Sequence, residues 1–431
     1  MRLLNSHMVA IFLICFTHSA AAGEARLIVA DTQAEHLLVY SVPEMTLLAD
    51  FPGIKLGSHA GTISLSHNQL LFMDEKREEM DVLDVNSDVP RIAVRMSAPL
   101  VHGARFGWIA VDTSQRFVAA TSDNDEDVIE TLTLADIRRQ LSRQVNVDTT
   151  KQEPELGVLV GGSPAQVILN RSINLEAYPF DQLLKGVVTQ LPASTFPPES
   201  SLSVGVGHGG SFSSVSQTLS VSTTKGMVIC ALTAAGLSLQ KTVSWDVAGK
   251  AGGQNYRQRM TADQQTVFGP TVSVVIPADW ATASVDILWI DIRTATEKRT
   301  PLSKGLISRG GVSSTLAAYA TIEPEGDFLK LINVESQSPG FRSIVGNIPL
   351  QSLTKRPRSG STPVAGEGRY AAITPDGKWA FATHGGDGLI SVINTTTKAL
   401  EKTIRTPTSL IGGGYIVAIS EDQALFEYAG R

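Results

Sequence analysis

The chain has 431 residues, of which 42% are hydrophobic and 18% charged, and 36 basic against 42 acidic residues leave a net charge of −6. The basic residues are scattered and outnumbered, so the sequence carries no cationic surface of the kind that binds nucleic acid. Beyond the N-terminus no apolar run reaches the roughly 18 residues that a membrane-spanning helix requires, so we expect no membrane span in the mature protein.

The first element in chain order is a secretory signal peptide, predicted at residues 1–22. Arg2 gives it a basic start, Met8 to Phe16 form an apolar core too short to span a bilayer, and Ala20 to Ala22 supply the small residues of a cleavage site. We therefore predict a periplasmic or secreted mature protein, with residues 23–431 forming one propeller domain.

Short apolar strands separated by polar turns recur along the rest of the chain, and the clearest unit is residues 366–407. It reads as four strands joined by tight turns, among them Pro375-Asp376-Gly377, and weaker copies occupy residues 62–96 and 104–147. A mature chain of about 410 residues exceeds the roughly 250–300 that one hydrophobic core usually serves. The repetition therefore predicts an all-β propeller, in which each unit is one blade.

The two ends of the mature chain are predicted to share a blade. The N-terminal segment offers three strands, RLIVADTQ, HLLVYSV and TLLADF, and the C-terminus offers a spare one, GGGYIVAIS. Pairing them closes the ring and removes exposed sheet edges. The sequence thus predicts a single closed β-propeller of seven or eight four-stranded blades. Eight is favoured by the repeat starts, which fall near residues 59, 102, 160, 208, 258, 310, 366 and 412.

Three segments are predicted to lie outside the strands. Leu134–Val145 (LADIRRQLSRQV) has helical periodicity and is predicted to form one or two amphipathic turns. Ala193–Ser214 and Lys355–Pro363 are rich in Pro, Ser and Gly and are predicted to be loops between blades. His384 follows a strand in a glycine-rich context, and we predict that it lies in a surface turn.

Signatures of the common enzyme classes are missing from the sequence. It contains no G-x-S-x-G elbow, no P-loop, no H-E-x-x-H and no C-x-x-C, and we predict no catalytic residues. A lactonase-type hydrolase is the enzymatic alternative, with a metal ion and a water molecule at the mouth of the propeller and Glu367 as the nominated base.

Three histidines occupy equivalent places in the repeat: His59, His102 and His208. Each has small neighbours and comes just before the predicted innermost strand of a blade, and the intervals of 43 and 106 residues equal about one and two repeats. Loops that lead into innermost strands surround one mouth of the central channel, so these side chains are expected to converge there.

Convergent imidazoles suit a zinc ion, which takes three or four N and O ligands, and Glu367 is predicted as the fourth ligand. The alternative is that each histidine braces a neighbouring blade by a hydrogen bond. In that case the propeller is an interaction module without metal, and loops on one face recognise a protein or a surface partner. No feature indicates a homo-oligomer, and we expect a monomer.

On these residues the chain resembles the AztD-type periplasmic zinc metallochaperones, secreted propellers that hand zinc to the binding protein of an ABC importer. The matching positions are Ser58-His59, His102-Gly103 and His208-Gly209, which keep the order and phase of that family over residues 50–240. The resemblance implies a central zinc site and a periplasmic binding protein of a zinc importer as partner. Members of that family carry a His- and Asp-rich loop near the N-terminus, and this chain lacks it. The departure bears on the delivery of zinc to the partner. Its C-terminal blade is also similar to repeats of YncE-type proteins and of the methylamine dehydrogenase heavy chain, which implies the fold alone.

Overall fold

The structure is a computed structural model, and most of the residues that it describes lie in strands. It describes residues 25–56, 63–65, 68–86, 89–100, 104–123, 129–146, 158–170, 175–191, 210–222, 226–244, 251–252, 258–274, 279–307, 310–357 and 368–420. In these residues the chain forms 33 β-strands, one α-helix, α1 (Phe180–Leu184), and two single-turn 3-10 helices, Ile137–Arg139 and Trp280–Thr282. None of the described helices is long and apolar enough to span a membrane.

The strands form eight separate sheets, numbered here as blades 1–8 around the ring. Blades 1–4 contain β1 (Arg26–Asp31), β2 (His36–Ser41), β3 (Leu47–Pro52) and β33 (Tyr415–Ile419); β4 (Ile63–Leu65), β5 (Gln69–Asp74), β6 (Glu79–Asp84) and β7 (Arg91–Ser97); β8 (Arg105–Val111), β9 (Phe117–Asp123), β10 (Ile129–Asp136) and β11 (Leu141–Val145); and β12 (Val158–Gly161), β13 (Gln166–Asn170) and β14 (Leu175–Pro179).

Blades 5–8 contain β15 (Gly210–Ser213), β16 (Thr218–Ser222), β17 (Gly226–Thr233) and β18 (Gly236–Ser244); β19 (Ala251–Gly252), β20 (Arg259–Met260), β21 (Thr266–Val274), β22 (Ser284–Asp291) and β23 (Thr296–Lys304); β24 (Leu306–Ile307), β25 (Gly311–Val312), β26 (Leu316–Glu323), β27 (Gly326–Asn333) and β28 (Ile344–Leu350); and β29 (Ala371–Ile373), β30 (Trp379–His384), β31 (Leu389–Asn394) and β32 (Ala399–Arg405). All of these pairings are antiparallel.

In blades 2–8 the first strand is the innermost, and in blade 1 the innermost strand is β33, as the contacts between blades show. β33 contacts β4, β4 contacts β8, and β8 contacts β12, while on the other side of the ring β25 contacts β29 and β29 contacts β33. These strands form the wall of the central channel. The later strands of each blade fan outward, and β32 at the outer edge of blade 8 is almost entirely exposed. The prediction of an all-β propeller with eight blades is confirmed.

Blade 1 closes the ring with strands from both ends of the described chain. Its strand order is β3-β2-β1-β33, and Ile28 of β1 faces Val417 of β33. The predicted closure is therefore confirmed, and the C-terminal strand takes the innermost position.

Three blades depart from the predicted four-strand pattern. In blades 6 and 7 two short strands share the innermost position, since β19 and β20 both pair with β21, and β24 and β25 both pair with β26. In the described part of blade 4 three strands are present. The place of the outermost strand is taken by α1 and by a single bridge between Ala177 and Leu191.

The hydrophobic core is divided into layers between neighbouring blades, because strand side chains alternate between the two faces of a sheet. On β6, Val82 packs in the layer toward blade 3, whereas Leu83 packs in the layer toward blade 1. Two fully buried tryptophans each fill part of one such layer. Trp108 lies between blades 3 and 4, and Trp289 lies between blades 6 and 7, stacked on Phe268 at 4.8 Å.

The prediction of helical turns over Leu134–Val145 is wrong. The segment contains the end of β10, the 3-10 helix Ile137–Arg139 and β11. Asp136 caps that helix by accepting a hydrogen bond from the backbone N–H of Arg139, and Gln140 ends it at a φ of +51°. The leucines belong to strands on either side, so the spacing typical of a helix arises from a tight turn between them.

The two predicted loops are only partly described. Ala193–Ser214 is not entirely a loop, because its last residues form β15 (Gly210–Ser213), and residues 193–209 lie outside the described residues. Of Lys355–Pro363, residues 355–357 are described and lie outside strands, as predicted.

Candidate functional site

The fold brings equivalent strand ends of the blades to one face of the ring, named the top face here. Because neighbouring strands are antiparallel, the starts of the innermost strands and the ends of the second strands lie on this face. The top face therefore surrounds the channel mouth at which the three histidines are predicted to converge.

The predicted site residues His59, His102, His208 and Glu367 lie outside the described residues. The strands that follow them are described, however, and β4, β8, β15 and β29 are each the innermost strand of their blade. The prediction of convergence assumed that each of these residues precedes an innermost strand, and the described strands have that position. Whether the side chains converge stays a prediction.

Other metal sites have little support in the described part of the chain. No group of three or more His, Cys, Asp or Glu side chains is arranged there to hold an ion. Cys230 is buried, and burial raises the pKa of its thiol to about 12, which disfavours the thiolate that a metal requires.

Arginine and tyrosine side chains stand where the chain enters the innermost strands. Arg105 begins β8 and Arg259 begins β20; both are half-buried, and Arg259 Nη2 reaches the carbonyl oxygen of Gly310 in blade 7 at 3.5 Å. Between blades 8 and 1 the rings of Tyr370 and Tyr415 lie 5.3 Å apart. The described rim of the channel therefore has arginine side chains at blades 3 and 6 and an aromatic pair between blades 8 and 1.

Gly413 fixes the position of the Tyr370 ring. It has a φ of +107°, and a Cβ built there would lie 2.1 Å from that ring. Any other residue at this position would strain the backbone and displace the tyrosine.

A buried ionic network crosses the top face between blades 7 and 8. Asp327 accepts hydrogen bonds from Arg369 Nε at 2.9 Å and from Arg369 Nη2 at 2.7 Å, and both side chains are fully buried. Arg369 also donates to the carbonyl oxygen of Gln351, and Arg356 pairs with the other oxygen of Asp327 at 3.3 Å. Two cations on one carboxylate hold the segment that leads into β29.

His384 lies beside this network and not in a surface turn, so that prediction is wrong. It is the last residue of β30 and is fully buried, and its Nε2 is 2.8 Å from Ser391 Oγ. Burial, assisted by the nearby charge of Arg369, lowers the pKa of the imidazole to about 3. The strand continues one residue further than the glycines suggested, and this residue faces blade 7.

Sequence reasoning did not find the Arg369–Asp327 pair. The two residues are 42 positions apart and neither belongs to a recognisable motif. One weak signal existed, since Arg369 stands next to strand residues that are otherwise small or apolar. A charged residue in such a place is rarely buried unless it is paired.

An eight-sheet ring with radial antiparallel blades and closure by both ends of the chain defines the class of closed eight-bladed β-propellers. The solved structures that share this fold include two of AztD from Citrobacter koseri, with TM-scores of 0.59 and 0.61, identities of 12% and 13%, and coverage of 93% of this chain and 99% of that one.

The dihydro-haem d1 dehydrogenase NirN is also similar, with a TM-score of 0.56, 15% identity, and coverage of 92% of this chain and 75% of that one. A hypothetical selenium-binding protein from Sulfolobus tokodaii has a TM-score of 0.51 at 9% identity over 94% of this chain and 96% of that one. At these identities the likeness shows the fold alone, and because NirN is an enzyme, the fold leaves enzymatic activity open. No protein-family model and no curated protein matches the sequence.

Proposed function

We propose that the chain is a periplasmic or secreted propeller that binds one zinc ion at the top mouth of its channel. His59, His102 and His208 are the ligands in this proposal, and Glu367 is the fourth. The signal-peptide pattern of residues 1–22 supports the location, with residues 23–431 as the mature domain.

The observation that carries the proposal is the shared position of the strands that follow the histidines. His59 precedes Ile63 of β4, His102 precedes Arg105 of β8, and His208 precedes Gly210 of β15. Each interval is only two to four residues, and all three strands are innermost. Residues so close to the start of an innermost strand have little chain with which to leave the mouth, since a residue spans at most about 3.6 Å.

The charge of the ion itself favours a carboxylate among the ligands. A dication held by neutral imidazoles alone keeps its full charge, and an anionic ligand offsets part of it. Glu367 precedes β29 by four residues and is the last acidic residue before that strand in the sequence.

The test is the zinc affinity of the mature protein, measured by elemental analysis and by competition with a chromophoric chelator. We expect one zinc per chain, and His102→Ala should weaken binding by more than about 100-fold, since even residues that only support a ligand contribute about 10–100-fold. His36→Ala is the matched control. His36 bonds Asp50 at 2.7 Å at the start of β2, away from the channel wall, and should leave affinity unchanged. Equal affinities for wild type and His102→Ala would rule out the site.

The second candidate is an interaction module without metal, and His384 favours it specifically. That histidine is buried and bonded to Ser391 of its own blade, so an imidazole of this chain serves packing without a metal. If the three predicted ligands act likewise, their replacement should lower the melting temperature and zinc should leave it unchanged. A melting temperature that rises with zinc would count against this candidate.

Delivery of zinc to a partner is a further part of the proposal, and it rests on the resemblance noted in the sequence. The partner is the periplasmic binding protein of an ABC zinc importer. We expect the zinc-loaded chain to transfer its ion to such an apo protein faster than zinc dissociates from the chain into a solution of free chelator. Transfer at the rate of spontaneous dissociation would show that the chain is not a donor.

A further inference from the structure

Asp81 is a carboxylate buried between blades 1 and 2. It lies in the middle of β6, is completely inaccessible to solvent, and neither of its oxygens has a hydrogen-bond partner. Its partner across the sheet is Phe72, and Leu83 follows it on the same face. Both of those side chains belong to the apolar layer shared with blade 1.

Blade 1 contributes apolar side chains to the layer that contains this carboxylate. Leu37 and Val39 of β2 and the buried residues Ile54 and Leu56 belong to the same layer, with Ala49 and Phe51 of β3 packed against it. The one charged side chain in the segment 53–56, Lys55, extends to Glu75 at 3.3 Å. Among the described residues, no hydrogen bond joins either oxygen of Asp81 to a cation of blade 1.

The charged groups around Asp81 come from its own blade and are mixed in sign. Glu79 lies two residues earlier on the same face and has a buried oxygen without a hydrogen-bond partner, and Asp74 pairs across the sheet with Glu79. Arg95 is the partner of Asp81 on β7, and Arg77 is bound to Asp74. Three carboxylates thus share two arginines.

The segment 53–56 joins the two blades and is held from both sides. The backbone N–H groups of Gly53 and Ile54 donate to the carbonyl oxygen of Glu35 in blade 1. From blade 2, Asp74 accepts from the N–H of Lys55 at 3.3 Å, and Arg77 donates to the carbonyl oxygen of Gly53 at 3.3 Å. The buried side chains of Ile54 and Leu56 anchor this segment in the layer that contains Asp81.

We propose that Asp81 is a proton-dependent latch of the interface between blades 1 and 2. With the carboxyl protonated, the apolar layer packs and the segment 53–56 is held. When the proton leaves, a charge without a dedicated partner stands in that layer, and the interface loosens at this segment. The step is the release of one proton to solvent, with no covalent change.

The direction of the pH dependence follows from the surroundings. Burial, and then the charge of Glu79, raise the pKa of Asp81 from 3.8 to about 7. Between these two values the folded chain keeps a proton that the unfolded chain has released, so this carboxyl makes stability fall as pH rises through that window. Above about pH 7 both states have lost the proton and the loss levels off.

The experiment compares urea unfolding of the metal-free full chain and of Asp81→Asn at pH 5, 6, 7 and 8. We expect the ratio of the two folding equilibrium constants to move in favour of Asp81→Asn by up to about tenfold per pH unit from 5 to 7, and to level off above 7. At pH 8 the amides of residues 53–56 should exchange hydrogen faster in wild type than in the variant.

The matched control is Asp84→Asn, which removes a carboxylate from the same strand where it is half-exposed and bonded to the N–H of Asn86 at 3.0 Å. Its stability should run parallel to that of wild type over the same pH range. Parallel curves for Asp81→Asn, or equal exchange at 53–56, would overturn the proposal. Because the unfolding experiment uses the metal-free chain, its outcome does not depend on whether the proposed zinc site exists.

Discussion

Asp327→Asn is expected to destabilise the protein by about 3–5 kcal/mol, the range for a buried ion pair that loses one partner. The variant leaves Arg369 fully buried without the carboxylate that faces it at 2.7 Å, and it also removes the charge that pairs with Arg356. The backbone N–H of Leu353 loses a charged acceptor as well. The measurement is the free energy of unfolding in urea at pH 7.

A double variant shows whether the loss comes from the stranded charge. Arg369→Met combined with Asp327→Leu removes both charges, and we expect it to be less destabilised than Asp327→Asn alone, since a buried pair replaced by apolar residues of similar volume is often near neutral. If the stability lost in the double variant equals the sum of the losses in its two single variants, the two side chains contribute independently, contrary to their geometry.

The second large effect is expected at acid pH and arises from His384. Its folded-state pKa of about 3 lies below the ordinary value of 6.5 because the ring is buried beside Arg369. Between pH 6.5 and 3 the unfolded chain therefore binds a proton that the folded chain does not, so the contribution is complete above 6.5 and lost as pH falls. At about 1.4 kcal/mol per unit, the loss amounts to roughly 4–5 kcal/mol by pH 3.

His384→Gln should remove this part of the acid sensitivity, because glutamine does not titrate. Ser391→Ala is the matched control: it deletes the 2.8 Å partner of His384 Nε2 but keeps the imidazole, so it should lower stability by about 1 kcal/mol while preserving the slope. The measurement is the urea midpoint from pH 7 to 4. An unchanged slope in His384→Gln would show that other groups control the acid transition.

The features of the fold that were predictable are those set by neighbours in sequence. In blade 8 the turn Pro375-Asp376-Gly377 is fixed locally: Thr374 and Asp376 bond each other at 2.6 Å, and Gly377 has a φ of +73°. Alternating apolar residues then define the strands on either side. Ring closure was predictable for a different reason. A spare C-terminal strand can form backbone hydrogen bonds with the exposed edge of the incomplete N-terminal blade.

Residues whose surroundings come from another blade could not be placed from the sequence, and the prediction for His384 is wrong for this reason. His384 has glycines beside it in sequence, yet it is buried because blade 7 covers its face of β30. Arg369 is buried because Asp327 lies opposite, and Asp81 is buried because it lies beside the apolar layer that blades 1 and 2 share. No local pattern records such neighbours, and the ligand set of the proposed zinc site, which needs at least three blades, is a prediction of the same long-range kind.

The closure of blade 1 also determines the order in which the protein can be completed. Strands β1 to β3 leave the ribosome first, but the strand that lines the channel beside them, β33, is made almost last, and Arg26 pairs with Ile419. Until residues 415–419 emerge, the inner edge of β1 offers unpaired backbone groups to any strand nearby, including one from a second chain. A nascent chain that stalls after blade 8 would therefore have seven folded blades and a first blade in which the edge of β1 is unpaired. We expect such fragments to associate with each other through this edge.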